Sequence, residues 1–141
     1  SFEERRCLVP SDGFYEWKGA KGRKQPWYIF PPGGGPIAFA GIWETWRGKD
    51  GKPETPLRSC AIITTAASPS IVEIHHRMPV ILHPKAYETW LRIDTFSRDR
   101  FEDILQNQVL TEFNSHPVST RVNDARYNAA DGIEPLSSQP S

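Results

Sequence analysis

Residues 6–17 read Arg6-Cys7-Leu8-Val9-Pro10-Ser11-Asp12-Gly13-Phe14-Tyr15-Glu16-Trp17, and this stretch decides the fold class. An apolar run, a Ser-Asp-Gly break and a second run rich in aromatics describe two short strands around a turn. The pattern then repeats outward. Lys18 to Gln25 is polar and contains glycine, as a hairpin loop should, and Trp27-Tyr28-Ile29-Phe30 is the returning strand. Pro31 to Pro36, with three consecutive glycines, is a loop. Ile37 to Trp46 is a longer strand in which Gly41 marks a bulge or a close backbone approach. Arg47 to Pro56 is a second polar connection, and the β-branched run Ser59 to Thr65 predicts a buried strand.

Helical signals come late. Ser68-Pro69-Ser70 opens a short turn through Ile74, and Met78 to Leu82 returns to strand. His83-Pro84 starts a helix through Leu91, with proline at its first position. Tyr87, Trp90 and Leu91 are expected on its core side. Ser97 caps a second helix carrying Phe101, Ile104 and Leu105 at helical spacing. Val118 to Val122 alternates as a strand, and the last ten residues should fray. The reading is an α+β domain, mainly antiparallel β in a barrel-like sheet with a few short helices. Residues 1–136 form a single domain and 137–141 a flexible tail.

Composition limits the function classes. The 141 residues carry 17 Lys and Arg against 17 Asp and Glu, so overall charge makes no case for tight duplex binding. The balance is uneven: ten basic against seven acidic residues in 1–60, the reverse in 61–141, which permits a local anion site near the first half. No run approaches the roughly 18 apolar residues that span a bilayer, and no secretory signal opens the chain. Cys7 and Cys60 lie in apolar stretches and read as two buried free thiols.

Three features carry possible chemistry. Alternation places Phe14 and Glu16 on one strand face, and Tyr15 and Trp17 on the other. If Phe14 is buried, Glu16 is drawn toward an apolar interior that disfavours its ionised form, which suits proton transfer. A strand-edge glutamate in water is the alternative. In His75-His76-Arg77, adjacent residues of an extended segment point apart, and no C-x-x-C, H-x-x-x-H or acidic cluster adds ligands, so no metal is expected. Acid/base work by one histidine competes there with a structural role. Trp17, Trp27, Trp43 and Trp46, beside Lys18, Lys21, Arg23 and Lys24, could supply stacking surfaces with a phosphate-binding fringe, although most should be core. No G-x-S-x-G supports a serine hydrolase.

Residues 6–17 together resemble the signature around the active-site glutamate of the SRAP family, the SOS-response-associated peptidases. Phe39-Ala40-Gly41-Ile42-Trp43-Glu44, Ile62-Ile63-Thr64-Thr65-Ala66-Ala67, Ile74-His75-His76-Arg77-Met78-Pro79-Val80-Ile81-Leu82, Pro117-Val118-Ser119 and Val122-Asn123 follow in the family's order. The resemblance covers nearly the whole chain. It implies catalytic roles for Glu16 and His75, DNA contacts by Trp17 and Arg77, and a pocket position for Thr64. The partner it implies is single-stranded DNA containing abasic sites, with no cofactor and no membrane, in a monomer. The compartment would be the nucleoid-associated cytoplasm of a bacterium or the nucleus of a eukaryote.

The chemistry it implies is attack by an N-terminal cysteine on the abasic aldehyde to give a thiazolidine, with autoproteolytic removal of residues before that cysteine. His76 stands where the family usually has aspartate. The family's N-terminal segment is expected upstream of Ser1, so that 1–141 alone would not form the crosslink. A non-enzymatic single-strand-binding module is the alternative function, and a general protease a third.

Overall fold

The computed structural model describes residues 3–48, 56–92 and 97–137. Among them the chain forms two compact units. Unit 1 comprises residues 1–11, 37–65 and 79–110; unit 2 comprises 12–36, 66–78 and 111–141. The architecture is α+β, mostly antiparallel sheet with few short helices. The expected barrel-like closure is not found. The described strands form two three-stranded sheets and one two-stranded ribbon, all open.

Unit 1 is built on β1 (Arg6–Ser11), β4 (Ile37–Trp46) and β5 (Leu57–Ile62), with β4 in the centre. Cys7 faces Gly41 and Trp43 faces Cys60 across the ladders. Gly41 is a close-approach glycine rather than a bulge: a Cβ there would sit 2.9 Å from Cys7 Sγ and 3.4 Å from the Ala61 carbonyl. On β4 the core collects Ala40, Val80, Leu82, Ala86, Trp90 and Ile104, with Leu8, Ile63 and Phe101 packed against it. The polar connection after Trp46 lies largely outside the described residues.

Its helices follow their sequence signals. His83 Nδ1 accepts from Lys85 N at 3.3 Å and Pro84 begins a 3-10 turn, Pro84–Ala86, leading into α1 (Tyr87–Leu91). Ser97 Oγ accepts from Arg100 N and caps α2 (Arg98–Asn107). Trp90 is fully buried, and its indole N–H donates to the Cys7 carbonyl at 2.9 Å. Arg6 is buried against it and donates from Nε to Trp90 O and from Nη2 to Arg92 O, both at 2.5 Å. A guanidinium thus satisfies carbonyls where α1 ends, as expected of a cation at a helix C-terminus.

Three expectations in unit 1 need correction. The β-branched run Ser59 to Thr65, predicted as one buried strand, is instead divided between β5 and β6 (Thr64–Ala66), with Ile63 between them packed against the core. β5 is the edge of its sheet among the described strands and is exposed at all six positions. β-Branching reports a pleated backbone, not depth. Leu91 is 45% exposed, because it is the last residue of the helix, one position beyond the buried Trp90. Cys60 is exposed and Cys7 half-buried, and both are free. Burial, and then the neighbouring Cys60, push the Cys7 thiol up.

Unit 2 is built on β2 (Phe14–Lys18), β3 (Gln25–Phe30) and β8 (Asn114–Pro117), with β3 in the centre. β2 and β3 make the expected hairpin, pairing Glu16 with Trp27 and Trp17 with Pro26. Gly19 (φ 113°) and Gly22 (φ 88°) supply the left-handed positions of its loop. Residues 12–13 therefore hand the chain from one sheet to another. Gly13 is needed for contact rather than dihedral freedom: a Cβ would lie 2.6 Å from both the Ile29 carbonyl oxygen and the Tyr28 ring. Backbone cannot step aside as a side-chain tip can, so Gly13→Ala is expected to destabilise unit 2 by about 1–3 kcal/mol. Chemical denaturation would check this, and wild-type stability would show that the turn relaxes.

Two further corrections fall here. The strand predicted at Val118 to Val122 is earlier, at Asn114–Pro117. Ser119 Oγ accepts from Arg121 N and turns the backbone into a 3-10 turn, Thr120–Asn123. Nor does the chain fray from residue 132. Val118 bridges Pro135, Leu136 N donates to Pro117 O, and Gly132 is buried. The expected flexible tail lies, from residue 138 onward, outside the described residues.

Between these segments, β6 (Thr64–Ala66) and β7 (Arg77–Pro79) pair as the two-stranded ribbon. No described helix is long and apolar enough to cross a membrane.

Candidate functional site

The segment that carries His75 is held by its own apolar residues. Ile71 and Met78 are almost fully buried and Ile74 nearly so. Ser68 O accepts from both Ile71 N and Val72 N, and His75 N donates to Ile71 O at 3.1 Å. Ser70 Oγ donates to Thr111 O at 2.8 Å. The result is the short turn that the sequence predicts, with His75 at its exit.

The imidazole is then fixed by the backbone two residues on. His75 Nδ1 lies 2.9 Å from Arg77 O and 3.1 Å from Arg77 N. With Nδ1 occupied, Nε2 is the nitrogen left for a ligand. His75 and His76 do not point apart as an extended segment would place them. The chain bends there, and the rings stack with centroids 4.6 Å apart. Among the described residues no group of three His, Cys, Asp or Glu could hold a metal ion.

Glu16 and Trp17 reach one site although strand alternation assigns them to opposite faces. The Glu16 carboxylate folds back along β2, and its Oε2 accepts from the Trp17 backbone N–H at 3.3 Å. Phe14 is half-buried, edge-on to Phe113 at 6.4 Å, and Glu16 is half-buried as well. The carboxylate is thus not enclosed in an apolar interior as expected from Phe14. On the other face Tyr15 lies 6.5 Å from the Trp17 ring and 5.8 Å from Tyr28. Burial pushes both phenols up, with Asp12 and Tyr15 adding to the effect at Tyr28.

Glu16, Trp17, Lys24, His75 and Asn123 line one open cleft of about 380 Å³ in unit 2. Glu16 and His75 therefore share a cavity although 59 positions separate them in the sequence. Arg77 is exposed and contributes its backbone to His75. Thr64 is exposed and belongs to unit 1. Neither is part of this lining. Trp27 lies under the Lys18 ammonium, 5.8 Å above its ring, while Trp43 and Trp46 are exposed on unit 1. A larger cleft of about 550 Å³ on unit 1 is lined by Trp43, Thr45, Arg58, Ser59 and Cys60, and holds no carboxylate–imidazole pair.

Two lining residues, Lys24 and Asn123, are not singled out by the sequence pattern. Lys24 appears there only in a basic fringe. Asn123 appears only inside a matched motif, and no periodicity could assign its bond to an indole 106 positions away.

Comparison with known proteins gives this constellation a context. The family model "SOS response associated peptidase (SRAP)" matches residues 1–125. The chain is 35% identical over 131 residues to the abasic site processing protein YoqW of Bacillus subtilis, covering 92% of this chain and 57% of that protein. It is 32% identical over 136 residues to the abasic site processing protein YedK of Escherichia coli, covering 96% and 60%. The corresponding match to the abasic site processing protein HMCES of Gallus gallus is 33%, covering 94% and 44%. The chain thus spans about three fifths or less of the length of these relatives. A Bacteroides thetaiotaomicron crystal structure matches the fold with a TM-score of 0.78 at 24% identity, over 95% of this chain and 58% of that one. A phage-related protein from Bordetella bronchiseptica matches at 0.60 and 31% identity, over 94% and 58%. With a family model over most of its length and the family's motifs in order, the chain belongs to the SRAP family.

Proposed function

We propose that the unit 2 cleft binds single-stranded DNA at an abasic site and that the full-length protein links to it covalently. The observation that carries this reading is the convergence of Glu16, His75 and Trp17 on one open cleft. The relatives named as abasic site processing proteins support the substrate. The family model spans residues 1–125, with segments of both units, which supports reading the matched stretch as one domain.

Each residue has a task in this scheme. Trp17 offers an aromatic face to a base next to the lesion, where stacking tolerates any sequence. Lys24 and Arg77 supply positive charge for backbone phosphates. His75 Nε2 moves the proton that opens the abasic sugar to its aldehyde, and serves again in reversal. The nucleophile is the N-terminal cysteine of the family. Cys7 and Cys60 are mid-chain, and neither has an α-amine to offer.

The bonds balance as follows. The α-amine adds to the aldehyde carbon and one water leaves as the imine forms. The thiolate then attacks the imine carbon, and the nitrogen takes a proton. One C–N and one C–S bond are made, and the carbonyl oxygen departs as water. Glu16 relays the protons of addition and dehydration. Autoproteolytic exposure of the cysteine would use the same acid/base pair.

Binding tests the DNA half of the scheme. Affinity for an intact single strand should exceed that for duplex, vary little with sequence and fall with added salt. Trp17→Ala should weaken it by about 1–3 kcal/mol. Equal affinity for duplex, or an unaltered Trp17→Ala variant, would count against the assignment. Binding without any covalent product would favour the non-enzymatic module instead.

A further inference from the structure

We propose that Asn123 is a positioning residue for the DNA-contacting indole of Trp17. The inference rests on the reading of Trp17 given above and deepens it. Trp17 Nε1 donates to Asn123 Oδ1 at 2.7 Å, across 106 positions of sequence, and both residues line the cleft.

The indole N–H is donor-only, so the group facing it must be the amide oxygen of Asn123, and the asparagine orientation is chemically fixed. Trp17 is half-buried near the end of β2, opposite Pro26 on β3 and with the Tyr15 ring 6.5 Å away. A hydrogen bond at the far edge of the indole restricts its rotation about the side-chain bonds. Ordering the ring before DNA arrives removes a cost that binding would otherwise bear.

The support under Asn123 is firm enough for the task. It ends the 3-10 turn Thr120–Asn123, capped at one end by Ser119 Oγ and closed at the other by Asp124 N donating to Arg121 O at 3.1 Å. Arg121 pairs with Asp131 at 3.4 Å, and Asp124 with Arg126 at 2.8 Å. The hydrogen bond of the turn and these pairs hold its last residue in place, although each exposed pair contributes little alone. With Oδ1 engaged, the Asn123 amide NH₂ has two donors for an oxygen of the bound strand.

Asn123→Leu keeps side-chain volume and removes the acceptor; Asn123→Asp keeps the acceptor. In ¹⁵N-labelled full-length protein, the Trp17 indole resonance is identified by its loss in Trp17→Phe. We expect Asn123→Leu to shift that resonance toward the solvent-exposed position, and Asn123→Asp to leave it hydrogen-bonded. Affinity for an intact single-stranded oligonucleotide should fall about 3- to 10-fold in Asn123→Leu. In a Trp17→Phe background the same substitution should add at most the small loss of a direct amide contact. An unshifted resonance with affinity within twofold of wild type, while Trp17→Ala weakens binding, overturns the positioning role alone. Unchanged affinity in Trp17→Ala overturns the reading of the site, and the positioning role falls with it.

Discussion

On the proposed reading, Glu16→Gln in the full-length protein is expected to slow covalent capture of an abasic oligonucleotide by about 100- to 10,000-fold, the usual range for losing a positioned acid/base group. Glutamine keeps the length of the side chain and an oxygen able to accept from the Trp17 backbone N–H, which Glu16 Oε2 now does at 3.3 Å. Proton exchange and the negative charge are lost, and loss of a negative charge does not weaken contacts with a polyanionic strand. Equilibrium affinity for intact single strands should therefore stay close to wild type while the capture rate collapses. Single-turnover kinetics under denaturing electrophoresis separates the two. A Glu16→Gln protein with an unchanged rate would remove Glu16 from the chemistry.

Trp90→Ala should be the most damaging single truncation in unit 1, by about 3–5 kcal/mol. The ring is fully buried, has Phe101 at 5.9 Å and the Arg6 guanidinium 5.8 Å from its centroid, and donates to Cys7 O. Its removal opens a cavity and takes one hydrogen bond from the Cys7 carbonyl. Trp90→Phe keeps most of the apolar contact and should cost about 1–2 kcal/mol, chiefly the lost hydrogen bond. Chemical denaturation monitored by far-UV circular dichroism would rank the three proteins. Near-equal stability of Trp90→Ala and wild type would mean that this core does not control folding of the unit.

Local pattern was readable wherever the sequence alone dictates local structure. Ile37–Trp46 is a strand at the predicted bounds, the Lys18–Gln25 hairpin closes as its glycines require, and Ser97 and His83-Pro84 start helices where their caps fall. Partner choice was not readable. Ser11-Asp12-Gly13 looks the same whether the flanking strands pair with each other or, as here, join separate sheets. Nor does β-branching in Ser59 to Thr65 reveal that β5 lies at the edge of its sheet among the described strands. Val118 to Val122 misleads because the Ser119 hydroxyl competes locally for the backbone, a choice that alternation does not record.

The site divides in the same way. Glu16 stood out through its aromatic context and His75 through its paired histidines, and both line the cleft. What sequence could not supply was the route that brings them there. Glu16 comes by a carboxylate folded back on its own strand, and His75 by a bend that stacks it on His76 and ties Nδ1 to Arg77. Asn123 carries no chemical signal until Trp17 is placed beside it.

The most direct test of the cleft as an abasic-site centre is intact mass spectrometry of the full-length protein after incubation with a single-stranded oligonucleotide carrying one abasic site. The expected product is one adduct, at the summed masses less one water. It should be absent with the undamaged oligonucleotide and strongly reduced in a Glu16→Gln, His75→Ala double variant that still binds single strands. An adduct formed equally well by the double variant, or none from the wild-type protein, would contradict the account.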